Sequence, residues 1–418
     1  MKRINSIILK LLLGNLLCWN VVSLAAGLVL PSAASQREMI ISTAPDVAKR
    51  LKQVLGIEES SLQLEKSAAL RTSPLVLLKI QAQQLEAISQ LIHREFHRCG
   101  GFMIEADGAS LAELTLESAV HADLERDKGL YQINQQVLVE KISREVSEGN
   151  LLTTIKALSS NPNRYYRSSH GKASQQWLKE QWQALTKTQW GVSVDFFAHG
   201  DFPQPSVIVS WKGSLRPEEI VVLGGHGDSI AGMFSRESAP APGADDNASG
   251  IATITEVLRL LVAQNFRPER SIHFISYAAE EVGLRGSAEI ARHYKNQGVN
   301  VQGVMQLDMV NFFDGRNDMV LITDNTDNEQ NTFVKNLVAA YLPRIRLGEN
   351  PCGYACSDHA SWTRQGYPAS FPFEAAMEDY NSAIHTARDT LDRSNNNARH
   401  AVPFVTLAAA FVVELSML

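Results

Sequence analysis

Three apolar runs in this chain, each long enough for a strand, deliver metal-binding or proton-transferring residues at their ends. Ile220–Leu223 leads through Gly224-Gly225 to His226 and Asp228, Ile272–Ala278 leads to Glu280-Glu281, and Val301–Leu307 leads to Asp308. A Pro/Gly-rich loop brings Asp245, Asp246 and Asn247 to the start of a helical pattern. Continuous apolar runs fit strands buried on both faces, and strand ends are where α/β proteins place their chemistry. The pattern therefore predicts an α/β fold with a mixed, mainly parallel central sheet covered by helices on both faces.

The alternation holds along the second half of the chain. Strands are expected at Ser206–Trp211, Ile220–Leu223, Ser271–Ala278, Val301–Leu307, Met319–Ile322 and Pro368–Phe371. Helices are expected at Ala248–Gln264, Ser287–Gln297, Gln330–Leu342, Asp358–Gln365 and Ala398–Leu415. Residues 131–190 read as helical, with a turn at Asn161–Tyr166 and a tryptophan-bearing amphipathic run over Ala173–Leu185. With 418 residues, 44% of them hydrophobic, the chain can build one large core and a smaller unit besides.

That smaller unit precedes the rest. Residues 27–130 read as a small α+β domain, with helices at Ala44–Leu55 and Gln81–Phe96 and a strand at Ser73–Ile80. His93-Arg94-Glu95-Phe96-His97 superficially resembles a zincin motif, but Arg94 stands where the glutamate is needed. His93 and His97 are expected on a solvated helix face. Residues 1–26 have the charged start, apolar middle and small-residue end of a secretory signal, so export is expected. A membrane anchor fits less well, because Lys10, Asn15 and Asn20 interrupt a short run.

Export bears on the cysteines. Beyond Cys18, Cys352 and Cys356 are close enough to bridge, the alternative being two reduced, packed thiols; Cys99 is left odd. An oxidising compartment favours the bridge. A formal net charge of -6 without a Lys/Arg-rich stripe excludes a general nucleic-acid binder.

His226, Asp228, Asp246, Glu280, Glu281, Asp308 and a late His385 make a mixed nitrogen and oxygen donor set suited to Zn²⁺. The set exceeds what one ion needs, so two ions bridged by a carboxylate are expected, with one of the paired glutamates free to accept a proton. Singly each residue has a plainer reading; Asp245 and Asp246, for example, could cap the helix after them.

Six segments carry a resemblance: GGHGDS (224–229), PGADDNASGI (242–251), AAEEVGLRGS (278–287), QLDMVNF (306–312), CGYACSDHASW (352–362) and IHTARDT (384–390). Together they resemble the co-catalytic dizinc aminopeptidases of the bacterial leucyl aminopeptidase type in peptidase family M28. The resemblance spans residues 131–418, with the segment before it similar to the propeptide of these secreted enzymes. It implies the zinc exopeptidase fold and two Zn²⁺ per chain, with Asp246 bridging, His226 and Asp308 completing one site, and Glu281 and His385 the other. It further implies Glu280 as general base toward a metal-activated water, Asp228 as acceptor of the second N–H of His226, and Tyr354 as donor to the oxyanion. A cis peptide after Asp246 is implied, as is an apolar pocket formed by Met309, Ile322, Cys352, Cys356, Phe373, Met377, Tyr380 and Ile384.

The expected activity is removal of N-terminal leucine and similar residues from peptides or proteins with a free N-terminus, by a secreted monomer without a stable membrane anchor. A mono-zinc glutaminyl cyclase is the nearest enzyme rival, and a binding ectodomain that has lost catalysis is the rival from another class. Should the N-terminal segment inhibit, His97 or Cys99 is expected to reach toward the site.

Overall fold

A computed structural model describes residues 37–60, 75–96, 98, 100–107, 131–232 and 236–418. The signal segment 1–26, His97 and Cys99 lie outside them. The N-terminal unit comprises β1 (Glu38–Thr43), α1 (Pro45–Leu55), β2 (Glu58–Glu59), β3 (Val76–Gln81), α2 (Leu85–Phe96) and β4 (Phe102–Asp107). Its strands form an antiparallel sheet in the order β2-β3-β1-β4. Pro45 opens α1, where its missing N–H costs no helical bond, and Gly56 closes it at φ 63, a conformation that needs no Cβ. Helix α2 buries Leu85, Ile88, Ser89, Leu91, Ile92 and His93. His93 thus departs from the expected solvated position: it follows Ser89 by one turn, which puts it on the covered stripe with Ile92.

The larger unit begins with helices α3 (Gln136–Arg144), α4 (Glu148–Ser159) and α5 (Ser169–Thr186). It continues through β5 (Val192–Phe197), β6 (Ser206–Trp211), β7 (Arg216–His226), α6 (Ala248–Ala263), β8 (Arg270–Tyr277), α7 (Arg285–Asn296) and β9 (Asn300–Gln306). After these come β10 (Met319–Ile322), α8 (Asn328–Tyr341), β11 (Leu347–Asn350), α9 (His359–Arg364), β12 (Ala369–Ser370), β13 (Pro372–Phe373) and α10 (Val402–Ser416). The main sheet has the order β12-β9-β7-β8-β6-β5, parallel from β12 to β8 and antiparallel from β8 to β5. This is the mixed, mainly parallel sheet expected.

Alternate residues explain the uninterrupted apolar runs. Val221 and Leu223 of β7 join the core that holds α6 and α10, whereas Ile220 and Val222 point into the opposite layer with Ile290, Tyr294 and Trp362. Two-sided burial removes the polar positions a half-exposed strand would show. Helix α10 is buried from Phe404 to Ser416, and its Glu414 accepts from the backbone N–H groups of Asn134 and Gln135. Among the described residues no helix is long and apolar enough to cross a membrane.

Strand β5 was not expected; as an edge strand it buries only Val194 fully, leaving little apolar signal. The single strand expected at 368–371 is two, with β12 in the main sheet and β13 in a second sheet ordered β11-β10-β13. That division carries the chain from the main sheet into the second one.

Candidate active site

The ends of β7, β8 and β9 lie side by side, so His226, the Glu280-Glu281 pair and Asp308 leave the sheet along one edge. Close strand approach requires Gly225, where a Cβ would stand 2.5 Å from the Leu307 carbonyl oxygen. Three residues beside the site, Ala279 (φ 56), Met309 (φ 51) and His385 (φ 56), hold left-handed backbone conformations without being glycine. Conformations of this kind persist where surrounding contacts fix them. The Asp246–Asn247 peptide is cis, and Asn247 caps α6 by accepting from Gly250 N–H.

Asp246 sits between two groups of donors. Its Oδ1 is 3.1 Å from His226 Nε2, which is 3.2 Å from Asp308 Oδ1. Its Oδ2 is 3.1 Å from His385 Nε2, which is in turn 3.1 Å from Glu281 Oε2. Zinc bonds of about 2.0–2.1 Å place neighbouring ligand atoms of a tetrahedral site roughly 3.3 Å apart. The donor spacings match that distance, and Glu281 Oε1, Glu281 Oε2 and His385 Nε2 are buried without a hydrogen-bond partner. Asp228, Asp246, Glu280, Glu281 and Asp308 are all at most 2% exposed. Five buried carboxylates around two imidazoles need further positive charge. The residues fit a pair of zinc ions.

The supporting contacts were only partly legible. Asp228 stands 3.5 Å from His226 Nδ1, a buried nitrogen without a hydrogen-bond partner, so the bond expected there is not made; the carboxylate accepts instead from the backbone N–H groups of Glu280 (3.0 Å) and Glu281 (3.3 Å). It ties the end of β7 to the end of β8. Asp389 accepts from the backbone N–H groups of Asp245 (3.2 Å) and Asp246 (3.0 Å), fixing the loop that presents Asp246. Burial, then repulsion from Asp245, pushes the Asp389 carboxyl well above its ordinary range. Arg164, fully buried, donates to the carbonyls of Gly227, Pro242 and Gly243 and so joins both loops. Ser357 donates to Asp308 Oδ2 at 2.7 Å. Sequence reasoning missed Asp389, Arg164 and Ser357 as supports, since each acts through another residue; their place inside or near the quoted motifs was the available signal.

Cys352 and Cys356 form a disulfide around Tyr354, which is 2% exposed. Beside Asp308 a narrow apolar cavity is lined by Met309, Tyr354, Cys356, Phe371, Phe373, Met377, Tyr380 and Ile384. Ile322 and Cys352 belong to the surrounding apolar cluster without lining the cavity, and Phe371 lines it though it was not expected to. The same cluster contains Leu51, Ile88, Ile92 and Phe102 of the N-terminal unit.

The model of the family described as Peptidase family M28 matches residues 206–410. A probable aminopeptidase of Saccharomyces cerevisiae is 35% identical over 292 residues, covering 68% of this chain and 77% of its own. The chain belongs to peptidase family M28. Leucine aminopeptidase 1 of Arthroderma otae is 39% identical over 285 residues, covering 65% of this chain and 74% of its own. The Legionella pneumophila LapA aminopeptidase superposes with a TM-score of 0.76 at 26% identity, covering 91% of this chain and 99% of that one. The M28 chain is thus of the metallo-aminopeptidase class, a hydrolase of peptide bonds. A match to 91% of the chain reaches beyond residues 131–418, so LapA has a counterpart to part of the N-terminal unit.

The charge balance gives a test on metal-free protein. Burial disfavours a charged His385 ring, but Glu281 and Asp246 outweigh it and hold it up to about 10. Burial, then Asp246, pushes Glu281 up to about 7. Both groups bind protons more tightly folded than unfolded, so stability falls as pH rises from their ordinary values, 4.5 and 6.5, through 7 and 10. We expect the melting temperature of metal-free M28 chain to drop between pH 5 and 10 (a range of about five units), with added zinc restoring it most at the alkaline end. A melting temperature flat across that range would contradict the assignment of these groups.

Proposed function

We propose that this M28 chain is an exported dizinc aminopeptidase that removes leucine and other large apolar residues from the free N-terminus of peptides and proteins. One observation carries the reading: two donor groups meet at Asp246, 3.1 Å from an imidazole on either side, and Asp308 of one group also lines the apolar cavity. His226 and Asp308 would hold one ion, Glu281 and His385 the other, with Asp246 between them. When bound, the zinc ions supply positive charge that polarises the scissile carbonyl and acidifies water.

Glu280 takes a proton from the attacking water and delivers it to the leaving amine nitrogen. Burial, aided by the Glu281, Asp358 and Asp308 carboxylates and opposed by His226, pushes its carboxyl well above the ordinary range. Bound cations lower it again, toward the near-neutral value a base needs. Tyr354 donates its hydroxyl to the oxygen that gains charge, and the disulfide on either side of it fixes its approach. The pocket of Met309, Phe373, Met377, Tyr380 and Ile384 takes the apolar first side chain. It discriminates by shape, so selectivity among Leu, Met and Phe is modest.

The leader-like residues 1–26 and the disulfide support secretion. Residues 27–130 are a propeptide in this reading, because the N-terminal unit packs against the cluster that lines the pocket. The mature enzyme acts as a monomer on peptide substrates without nucleic acid or membrane partners.

The mature protein should hydrolyse leucine p-nitroanilide but not its N-acetyl derivative. Chelation should abolish turnover and zinc should restore it, at two ions per chain. Turnover of the blocked substrate, or activity that survives complete metal removal, would sink the proposal. A single ion with cyclisation of N-terminal glutamine would favour the cyclase instead.

A further inference from the structure

The N-terminal unit does more than cover the pocket. Helix α2 is fastened to the larger unit by polar contacts: Glu86 accepts from the hydroxyls of Tyr165 and Tyr166, each at 2.6 Å, and from Arg236 at 3.2 Å. Ser89 donates to the Glu281 carbonyl oxygen at 2.9 Å. One turn further on, the His93 ring lies 4.2 Å, centroid to centroid, from that of His385, and its Nε2 is 3.6 Å from Glu281 Oε2. Single donor atoms of His93, Glu281 and His385 all fall within 4.8 Å of one another.

His93 is 8% exposed, and its Nε2 has no hydrogen-bond partner. Its other nitrogen decides the tautomer. Nδ1 is 3.3 Å from Ser89 Oγ, which already donates to Glu281 and accepts from Arg236 Nη1 at 3.1 Å. A hydroxyl has one donor and two acceptor sites, so Ser89 can also accept Nδ1–H, leaving the lone pair of Nε2 aimed at the Glu281–His385 group. The opposite tautomer would let Nδ1 accept from Arg236 Nη2 at 3.4 Å, but it would bury an Nε2–H that 3.6 Å from Glu281 does not satisfy.

Resting on the dizinc reading above, we infer that His93 is a metal ligand supplied by the N-terminal unit to the Glu281–His385 centre. With Asp246, Glu281 and His385 it makes four protein donors. Zinc sites with four protein ligands are closed, whereas catalytic sites keep a position for water or substrate. The intact chain therefore holds this centre shut by coordination, and withdrawal of α2 opens one position on it. Gly100 adds to the closure, since a Cβ there would stand 3.0 Å from Glu280 Oε1.

The test uses the full-length chain and reads metal binding rather than turnover. Zn²⁺ affinities are measured by chelator competition, and Co²⁺ is loaded in parallel so that visible absorption reports coordination. His93→Ala should weaken one of the two ions by at least about tenfold and lower the Co²⁺ absorption, while the other ion and the circular dichroism stay unchanged. In His93→Gly, added imidazole should restore both signals. Unchanged affinities and spectra in His93→Ala overturn the inference, as does weakening that imidazole fails to reverse, which would mark His93 as a packing residue. Should the wild-type chain bind no zinc, the dizinc reading itself fails, an outcome distinguishable from these.

Discussion

Replacing Glu280 by alanine or glutamine in the mature enzyme lowers kcat by about 10²- to 10⁴-fold, the range associated with removing a positioned general base. Zinc content stays at two ions, because neither donor group includes Glu280. KM changes little, since the carboxylate acts on the water and the leaving amine and not on the bound side chain. In the metal-free, unprocessed chain the same substitutions should make the fold more stable. Glu280 is fully buried, and burial together with Glu281, Asp358 and Asp308 opposes its ionisation despite His226. Opposite signs for activity and stability are characteristic of a residue kept for chemistry. Steady-state kinetics and metal analysis on the mature variants, with thermal melts on the metal-free unprocessed ones, check all four. Wild-type kcat in either variant would remove Glu280 from the mechanism.

Asp246→Ala has the larger effect on the metal centre. Its two oxygens face His226 and His385, each at 3.1 Å, so the substitution takes one donor from both groups at once. Metal content should fall from two ions toward none and activity to background, whereas Asp308→Ala, which affects one group, should keep an ion with Glu281 and His385. The comparison separates a bridging role from an ordinary ligand role. Equal metal loss in the two variants would argue against the bridge. Folding should survive in Asp246→Ala because the loop is still held from below, by Asp389 at the backbone of residues 245 and 246 and by Arg164 at the carbonyls of Pro242 and Gly243.

The sequence was most informative where an element is buried on both sides. Ile220–Leu223, Ser271–Ala278 and Val301–Leu307 could be read as strands, and their ends as a site, because two covering layers leave no room for polar interruptions. Edge strand β5 was not legible for the converse reason. Phe371 shows a related limit: an apolar residue in an apolar run reads as core whether or not a cavity lies beside it. His93 is the clearest misreading. Its neighbours Arg94 and Glu95 are charged and Arg94 is exposed, and a helix shows both faces in four consecutive letters, so only the packing partner reveals which face is covered.

By itself, then, the chain's order of residues determined the α/β layering, the pool of metal donors and their family, since these follow from local periodicity and from motifs contiguous in the chain. Only the tertiary structure decided that Asp246 stands between the two imidazoles, that Asp389 and Arg164 hold its loop, and that α2 lays His93 against His385. Those are distances between residues up to 292 positions apart, from His93 to His385. They are fixed by how sheet, loops and the N-terminal unit pack together, and no local pattern encodes them.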